Sequence, residues 1–340
     1  MSRLFVHIGT GKTGSTAIQN YLLNHQEDLV ARGIHYWGIN LEHAPTTHRF
    51  PWQDQTGTGT LQRMGIPQAK EEMDHVLREA LATLKPGHVA IWCNESIHER
   101  PDLYIPLLQS CHLTLGTDVS LFAYARNIRD YSLSAYKQWG VKHKTNPGRV
   151  IGFSEWVNHK RNYLSYGRKL SHWDQAFPES FNIINYDILP DVTHDFISRL
   201  PGCGELIPKK SANRVHASPA DAPFALYALY NNQFADPVLP NTITSLLSRY
   251  NLLNFSAKVD SLSQYYPSSK ELHAATKLLE SDAKLVNAML ERHGQPPLSS
   301  EDSVKSADTV SEQSISGGVI SLLLRIVVEQ EKRIEALERR

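Results

Sequence analysis

Short apolar runs alternate along the first half of the chain with segments of helical periodicity. The apolar runs have the length of buried strands and cover residues 4–8, 88–93, 119–125 and 181–186. Between them, the sequence predicts helices over residues 68–84, 101–115, 130–139 and 153–173. Strands that alternate with helices predict an α/β fold with a central, mostly parallel sheet in a three-layer arrangement.

The second half of the chain is predicted to be mostly helical, with helices over residues 190–200, 222–234, 240–253 and 268–293. Residues 296–318 are rich in Ser, Asp, Glu, Pro and Gly, which is typical of a flexible linker. Residues 319–338 carry apolar side chains at heptad spacing and predict a terminal helix, which either forms a homo-oligomer or docks on its own domain. The predicted organisation is a domain over 1–295, a linker over 296–318 and a helix over 319–340.

The segment between the first strand and the first helix carries the strongest functional signal. It reads Gly-Thr-Gly-Lys-Thr-Gly-Ser-Thr over residues 9–16, so its backbone can turn tightly and approach a ligand closely. Thr16 and Gln19 have the spacing of a capping box, which predicts a helix start at this point. A helix N-terminus beside a lysine and several hydroxyls favours a bound phosphate. The predicted phosphate-binding residues are Gly11, Lys12, Thr13, Gly14, Ser15 and Thr16.

This segment is P-loop-like without being a Walker A motif. That motif requires a glycine five positions before the glycine that precedes the lysine. The residue five positions before Gly11 is Val6, which lies inside the predicted strand. The loop before Lys12 is therefore too short to wrap a triphosphate in the usual way.

Two other predicted strands also end in polar groups. Asn94, Glu95 and Ser96 follow the second strand, and Arg126 follows the third, with Ser134 eight residues later. Ligands of open α/β sheets bind beyond the carboxyl ends of the strands. Arg126 and Ser134 are suited to hold one anionic group, although a structural ion pair is an alternative for Arg126.

Composition limits the class of protein. The chain has 340 residues with 35 basic and 35 acidic side chains, which gives no general argument for binding nucleic acid or a membrane surface. Its 3 cysteines form no disulfide framework, and no signal peptide or membrane-spanning run is present, which favours the cytoplasm. The 16 histidines show no metal-binding spacing, so no metal site is predicted.

Together the motifs over residues 6–16 and 124–136 resemble the sulfotransferases that use 3′-phosphoadenosine-5′-phosphosulfate (PAPS), most closely the bacterial, carbohydrate-type branch. One departure is Ile128, where many members have proline. The resemblance implies that Lys12 and the following residues hold the 5′-phosphosulfate, and that Arg126 and Ser134 hold the 3′-phosphate. It also implies sulfuryl transfer by in-line displacement to an acceptor hydroxyl on a glycan, with PAP as product and Lys12 stabilising the leaving phosphate.

A general base must accept the proton of the acceptor hydroxyl. Glu95 is the first candidate because it follows the second strand directly, and carbohydrate-type members similarly use a glutamate or histidine near this point. His98 is the nearest alternative, and His43 and His48 are further ones if the irregular stretch 34–67 folds over the site. His7 is predicted to lie in the core. The aromatic residues of that stretch either stack on a sugar or form a small core of their own.

Two other functions fit parts of the sequence. A small-molecule kinase fits the loop, but the Walker A spacing and a clear magnesium-binding aspartate are missing. A non-catalytic nucleotide-binding or assembly protein fits the loop and the terminal helix.

Overall fold

A computed structural model describes residues 2–206, 221–253 and 267–299, together with single helical positions between 319 and 337. Within these residues one five-stranded sheet has the order β2-β3-β1-β4-β5, and every neighbouring pair is parallel. The strands are β1 (Arg3–Gly9), β2 (Ile34–Tyr36), β3 (Val89–Cys93), β4 (Asp118–Ala125) and β5 (Phe181–Asn185). The predicted α/β class with a parallel sheet is confirmed, while the P-loop-like identity stays a prediction.

The described helices are α1 (Ser15–Asn24), α2 (Gln26–Ala31), α3 (Thr58–Arg63), α4 (Ile66–Thr83), α5 (Pro101–Leu115), α6 (Ile128–Ala135), α7 (Phe153–His159), α8 (Arg161–Leu164), α9 (Tyr166–Ala176), α10 (Val192–Ser198), α11 (Asp221–Asn231), α12 (Asn241–Arg249), α13 (Ser269–Leu278) and α14 (Glu280–Arg292). Most predicted helices are confirmed. The stretches 153–173 and 268–293, predicted as continuous helices, are divided into shorter ones.

The chain forms two compact units. The first consists of Met1–Asn127, Ser165–His216 and Ser281–Ser299, and it contains the whole sheet. The second consists of Ile128–Leu164, Ala217–Glu280 and Ser300–Arg340. The predicted domain over 1–295 and linker over 296–318 stay predictions, and the linker from residue 300 onward lies outside the described residues.

The sheet of the first unit is buried on both faces, as the continuous apolar runs of its strands predict. On one face, Phe5 stacks on Phe122 at a centroid distance of 5.5 Å. This pair belongs to a core cluster with Ile18 and Leu22 of α1 and Phe196 of α10. Because side chains alternate along a strand, the opposite face of β1 buries Leu4, Val6 and Ile8.

The stretch 34–67, predicted to be irregular, contains β2 and α3. β2 has only three residues, Ile34–Tyr36, and pairs with β3 at the edge of the sheet. A strand of this length shows no period in the sequence. Three aromatic residues of the stretch, Tyr36, Trp37 and Trp52, are buried, and Phe50 is half-buried and stacks on Trp52. The buried ones belong to a small core and do not present faces for stacking on a sugar.

In the second unit, α6 runs on into a π-helical turn over Tyr136–Lys142. The basic residues after it are held within this unit. Lys142 Nζ lies 5.6 Å from the ring centroid of Tyr227, and the buried Lys144 donates hydrogen bonds to the carbonyls of Gly148 and Phe234. The ammonium of Lys144 therefore bonds to backbone carbonyls of its own unit.

The described positions near the C-terminus separate into two sets. Val319, Leu322 and Ile326 are buried, which is expected of a helix that docks on the protein. Of the residues predicted at heptad positions, Ile320 lies outside the described residues, and the others are exposed; they are Leu323, Val327, Gln330, Ile334 and Leu337. Among the described residues, no helix has the length and hydropathy needed to cross a bilayer.

Candidate active site

The candidate site lies at the carboxyl end of β1, the central strand of the sheet. β3 and β4 are the two neighbours of β1. Their carboxyl ends therefore lie on either side of the loop over residues 9–16, with Glu95 after β3 and Arg126 after β4. The parallel topology brings together the three groups that the sequence predicts at separate strand ends.

The loop is folded by residues with left-handed backbone angles and tied to the sheet. Lys12 has φ of 65° and Gly14 has φ of 87°. A side chain at position 14 would place its Cβ 2.5 Å from Val192 Cγ1, so only glycine fits. Thr10 Oγ1 donates to the carbonyl of Tyr124 at 2.9 Å, and Thr13 Oγ1 donates to the carbonyl of Thr10 at 2.5 Å. The hydroxyl of Thr13 is thus turned into the loop.

Helix α1 begins without a side-chain cap, and the predicted capping box is wrong. The N-cap is Gly14, and no side chain accepts a hydrogen bond from the first turn. Gln19 is 8% exposed and its amide points across to β3. Ser15 Oγ is buried without a hydrogen-bond partner, while Thr16 is exposed. A buried hydroxyl at an uncapped helix N-terminus favours an anionic ligand, because a buried polar group without a partner is costly.

Arg126 contacts the loop directly. Its Nη1 donates to the carbonyl of Lys12 at 3.0 Å, and its guanidinium carbon lies 5.5 Å from the ring centroid of Tyr186. The carbonyl of Arg126 accepts a hydrogen bond from the hydroxyl of Tyr166. Neighbouring groups therefore hold both the guanidinium and the backbone carbonyl of Arg126 in place. Ser134 lies in α6, which belongs to the second compact unit.

The carboxylate of Glu95 is oriented by α1. Gln19 Nε2 donates to Glu95 Oε2 at 2.9 Å and to the carbonyl of Cys93 at 3.1 Å. Gln19 and Ser15 are four residues apart, which places both on one face of α1. The capping-box interpretation of Thr16 and Gln19 misses this contact, because Glu95 lies far from Gln19 in the sequence.

His98 supports the backbone beside the loop. Its ring is 1% exposed, and Nδ1 lies 2.6 Å from the carbonyl of Glu95. Burial, followed by the charge of Lys169, lowers the pKa of His98 to about 4. The enclosed ring of His98 is not accessible to an acceptor hydroxyl, whereas Glu95 is only half-buried, so Glu95 remains the better candidate.

The other candidate histidines differ in their exposure. His43 and His48 are exposed, and His43 packs on Tyr36 with ring centroids 6.0 Å apart. His7 is fully buried below the loop, as predicted, with Nδ1 3.0 Å from Cys93 Sγ. Burial lowers the pKa of His7 to about 3.

The turn after β3 is fixed by the side-chain amide of Asn94, which the sequence places after this strand, and is supported by Asn40, which the sequence analysis did not identify. Asn94 Nδ2 donates to the carbonyl of Ile39 at 2.9 Å, and its Oδ1 accepts from the amide of Ser96 at 2.9 Å. Asn40 Nδ2 donates to Thr58 Oγ1 at 3.0 Å. These bonds tie the stretch 34–63 to the turn that carries Glu95. Contacts this distant in sequence leave no local pattern.

No family model, curated protein or solved structure matches the chain. Among the residues that the structure describes, no group of three His, Cys, Asp or Glu side chains is arranged to hold a metal ion.

Proposed function

We propose that this protein is a sulfotransferase that moves a sulfuryl group from PAPS to a hydroxyl of a carbohydrate. The observation that carries the proposal is the arrangement at the end of β1. There the uncapped start of α1, the buried hydroxyl of Ser15 and the guanidinium of Arg126 adjoin one glycine loop that carries Lys12. Such an arrangement supplies amide, hydroxyl and cationic donors to an anion with several oxygens.

The donor set fits the phosphosulfate end of PAPS, which supplies an activated sulfuryl group when bound. Lys12, Gly14 and Ser15 would hold the 5′-phosphate and the sulfuryl group. Arg126 would hold the 3′-phosphate, and the part that the resemblance assigns to Ser134 stays a prediction. The contact of Arg126 with the carbonyl of Lys12 supports a place for its guanidinium beside the loop.

In the proposed reaction, different residues of the chain have different roles. Lys12 neutralises the charge that develops on the leaving oxygen, which is the main electrostatic demand of an in-line transfer. Glu95 takes the proton of the attacking hydroxyl, and the hydrogen bond from Gln19 holds its carboxylate in one orientation. The fixed loop and turn hold the reacting groups in position, which supplies the rest of the rate acceleration.

The proposal includes a cytoplasmic location, for which buried free cysteines are typical. Cys93, Cys111 and Cys203 are all free and buried. Self-association through the exposed heptad residues of the terminal helix also remains part of the proposal.

The test is a thermal-shift titration with adenosine 3′,5′-bisphosphate, beside ATP with magnesium. A ligand that binds only the folded state stabilises it by about 2.7 kcal/mol at a hundredfold excess over Kd. We expect a shift with the bisphosphate that Arg126→Ala abolishes and that Arg249→Ala, an exposed arginine of α12, retains. A shift with ATP and magnesium alone would indicate a kinase, and no shift with either ligand would contradict both enzymes.

A further inference from the structure

The turn over residues 94–100 has a second side, which lines a cavity of about 210 Å³ in the first unit. The turn contributes Ser96, Glu99 and Arg100 to this cavity, and residues of α3, α5 and α9 complete its walls. The carboxylate of Glu95 accepts from Gln19 of α1 and is not part of the lining. The turn therefore carries the proposed base on one side and lines the cavity on the other.

The charged side chains of the lining are Glu99, Lys169 and Arg100. Burial raises the pKa of Glu99; the charge of Lys169 opposes that rise, and the charge of Glu95 adds to it. Burial lowers the pKa of Lys169, and the charges of Glu99 and Asp282 oppose that change. Lys169 is thus already engaged by acidic groups of the protein, so we assign it no bond to a ligand. It balances the charge of Glu99 within the lining.

Arg100 has no acidic partner among the residues that the structure describes. Its guanidinium makes one hydrogen bond to them, from Nη1 to the carbonyl of Leu61 at 3.1 Å. A guanidinium carries five N–H donors, so most of those of Arg100 remain for other acceptors. The bond to Leu61 ties α3 to the turn and fixes the position of this cation. The lining as a whole therefore retains a positive charge.

A second donor without an acceptor belongs to the same cavity. Tyr104 of α5 is 3% exposed, and its ring packs edge-on against Trp92 at a centroid distance of 5.7 Å. Its hydroxyl makes no hydrogen bond to the described part of the chain. Burial raises the pKa of Tyr104 to about 12, and the charge of Arg100 opposes that rise. The hydroxyl therefore keeps its proton at neutral pH and lies close enough to interact with the guanidinium.

These two donors favour an anionic ligand. A molecule that fills the cavity displaces the water around the guanidinium of Arg100, so it must offer acceptors in place of that water. An apolar ring offers none, and a cation is repelled by Arg100 and Lys169. A neutral hydroxyl accepts a hydrogen bond but leaves the positive charge unbalanced. A carboxylate supplies both the acceptors and the charge, because its two oxygens match the fork of a guanidinium.

The rest of the lining fits a ring with hydroxyl groups. About 210 Å³ is smaller than the roughly 300–1,000 Å³ of sites for drug-sized molecules, so the cavity accepts one small ring. The side chains of Thr58, Gln62 and Ser96 bring two hydroxyls and an amide to its walls. Such groups both donate and accept hydrogen bonds, as the hydroxyls of a sugar do.

We infer that this cavity is the acceptor subsite and that it binds a uronate, a sugar with a carboxylate, through Arg100 and Tyr104. The inference rests on the proposed sulfotransferase function. Because Ser96 follows Glu95 directly, a ring in the cavity lies beside the residue that we propose as the base. Arg100 and Tyr104 then determine which acceptor binds and take no part in the transfer itself.

The experiment measures binding to the full chain by saturation-transfer NMR titration, with and without adenosine 3′,5′-bisphosphate. Methyl β-D-glucuronide and methyl β-D-glucopyranoside form a matched pair, because a carboxylate replaces one hydroxymethyl group. Cyclohexanecarboxylate carries the charge without the hydroxyls. We expect the glucuronide to bind about tenfold more tightly than either of the other two, because a hydrogen bond to a charged group is stronger than one between neutral groups.

Variants assign this preference to the two donors. Arg100→Met should remove the preference for the glucuronide, and Tyr104→Phe should weaken its binding by a smaller factor. Glu99→Gln removes a negative charge from the lining and should not weaken binding. Arg63→Met is the matched control, because Arg63 is an exposed arginine of α3 that does not line the cavity, and it should leave binding unchanged.

Equal binding of the two pyranosides, preferred binding of cyclohexanecarboxylate, or full glucuronide binding by Arg100→Met would overturn the inference. If Arg100→Met does not fold, Arg100→Lys replaces it, since lysine keeps the charge but loses the paired donors. An unchanged preference in that variant would equally overturn the inference. A bisphosphate shift without glucuronide binding rejects this subsite alone, whereas glucuronide binding without a bisphosphate shift rejects the proposed donor.

Discussion

The glycine loop and the stretch 34–63 flank the same turn after β3 and use their polar groups in opposite ways. In the loop, the buried hydroxyl of Ser15 has no hydrogen-bond partner and α1 has no side-chain cap. In the stretch, polar groups bond mainly to one another: Glu42 accepts from the amides of Ile39 and Asn40, although Trp37 Nε1 is buried without a hydrogen-bond partner. The glycine loop thus keeps polar groups that can bind a ligand, whereas the stretch uses its polar groups in hydrogen bonds that stabilise the fold. Substitutions should therefore separate activity from folding.

The largest effect is expected in the stretch. Trp52 is fully buried and its Nε1 donates to Glu72 Oε2 at 2.8 Å. Trp52→Ala should lower the free energy of unfolding by about 3–5 kcal/mol, because it leaves a large cavity and removes a hydrogen bond. Urea unfolding measures this. Phe50→Ala is the control, since Phe50 is only half-buried, and its loss should be smaller. Equal losses would contradict a core in this stretch.

In the glycine loop, a substitution should lower activity and leave stability unchanged. Lys12→Ala should lower kcat for sulfuryl transfer by about 10²–10³-fold, the usual effect of removing one donor from a developing oxyanion. The free energy of unfolding should remain unchanged, since the Lys12 side chain is not part of the core. Lys70→Ala, an exposed substitution in α4, should alter neither quantity. A Lys12 variant with full activity would remove the catalytic assignment.

This contrast explains which features the sequence predicts. The loop is visible because its glycines satisfy a local requirement, such as the φ of 87° at Gly14, and local requirements leave local patterns. The strands β1, β3, β4 and β5 are visible because both faces are buried. The role of Gln19 is not visible, since Glu95 lies 76 residues away in sequence. The buried aromatic residues of 34–63 have the composition of either a core or a sugar platform, and only their packing distinguishes the two.

Acid should destabilise the protein through the histidines near the loop. The pKa values of His7, about 3, and His98, about 4, are below the unfolded value of 6.5. Between these values the unfolded chain binds protons that the folded chain does not. Stability is therefore complete above pH 6.5 and falls below it, by about 1.4 kcal/mol per pH unit for each histidine.

Unfolding by urea at pH 7 and pH 5 measures this loss. From pH 6.5 to pH 5, His7 alone should account for about 2 kcal/mol. His7→Asn should reduce the pH dependence by that amount, whereas His159→Asn, at an exposed position of α7, should not. Parallel pH profiles for wild type and His7→Asn would show that folding does not lower the pKa of His7.

The smallest expected effect tests whether α1 orients the base. Gln19→Met keeps the length of the side chain but removes the hydrogen bonds to Glu95 and Cys93. A lost hydrogen bond to a charged group costs about 1.5–3 kcal/mol, so kcat should fall about tenfold or more while the bisphosphate still binds. A positioning role also predicts that Gln19→Glu, which sets a second carboxylate beside Glu95, raises the pH at which kcat reaches half its maximum. If Gln19→Met and Gln19→Glu lose kcat equally and the pH profile does not shift, the positioning role is contradicted. Gln19 would then only link α1 to β3.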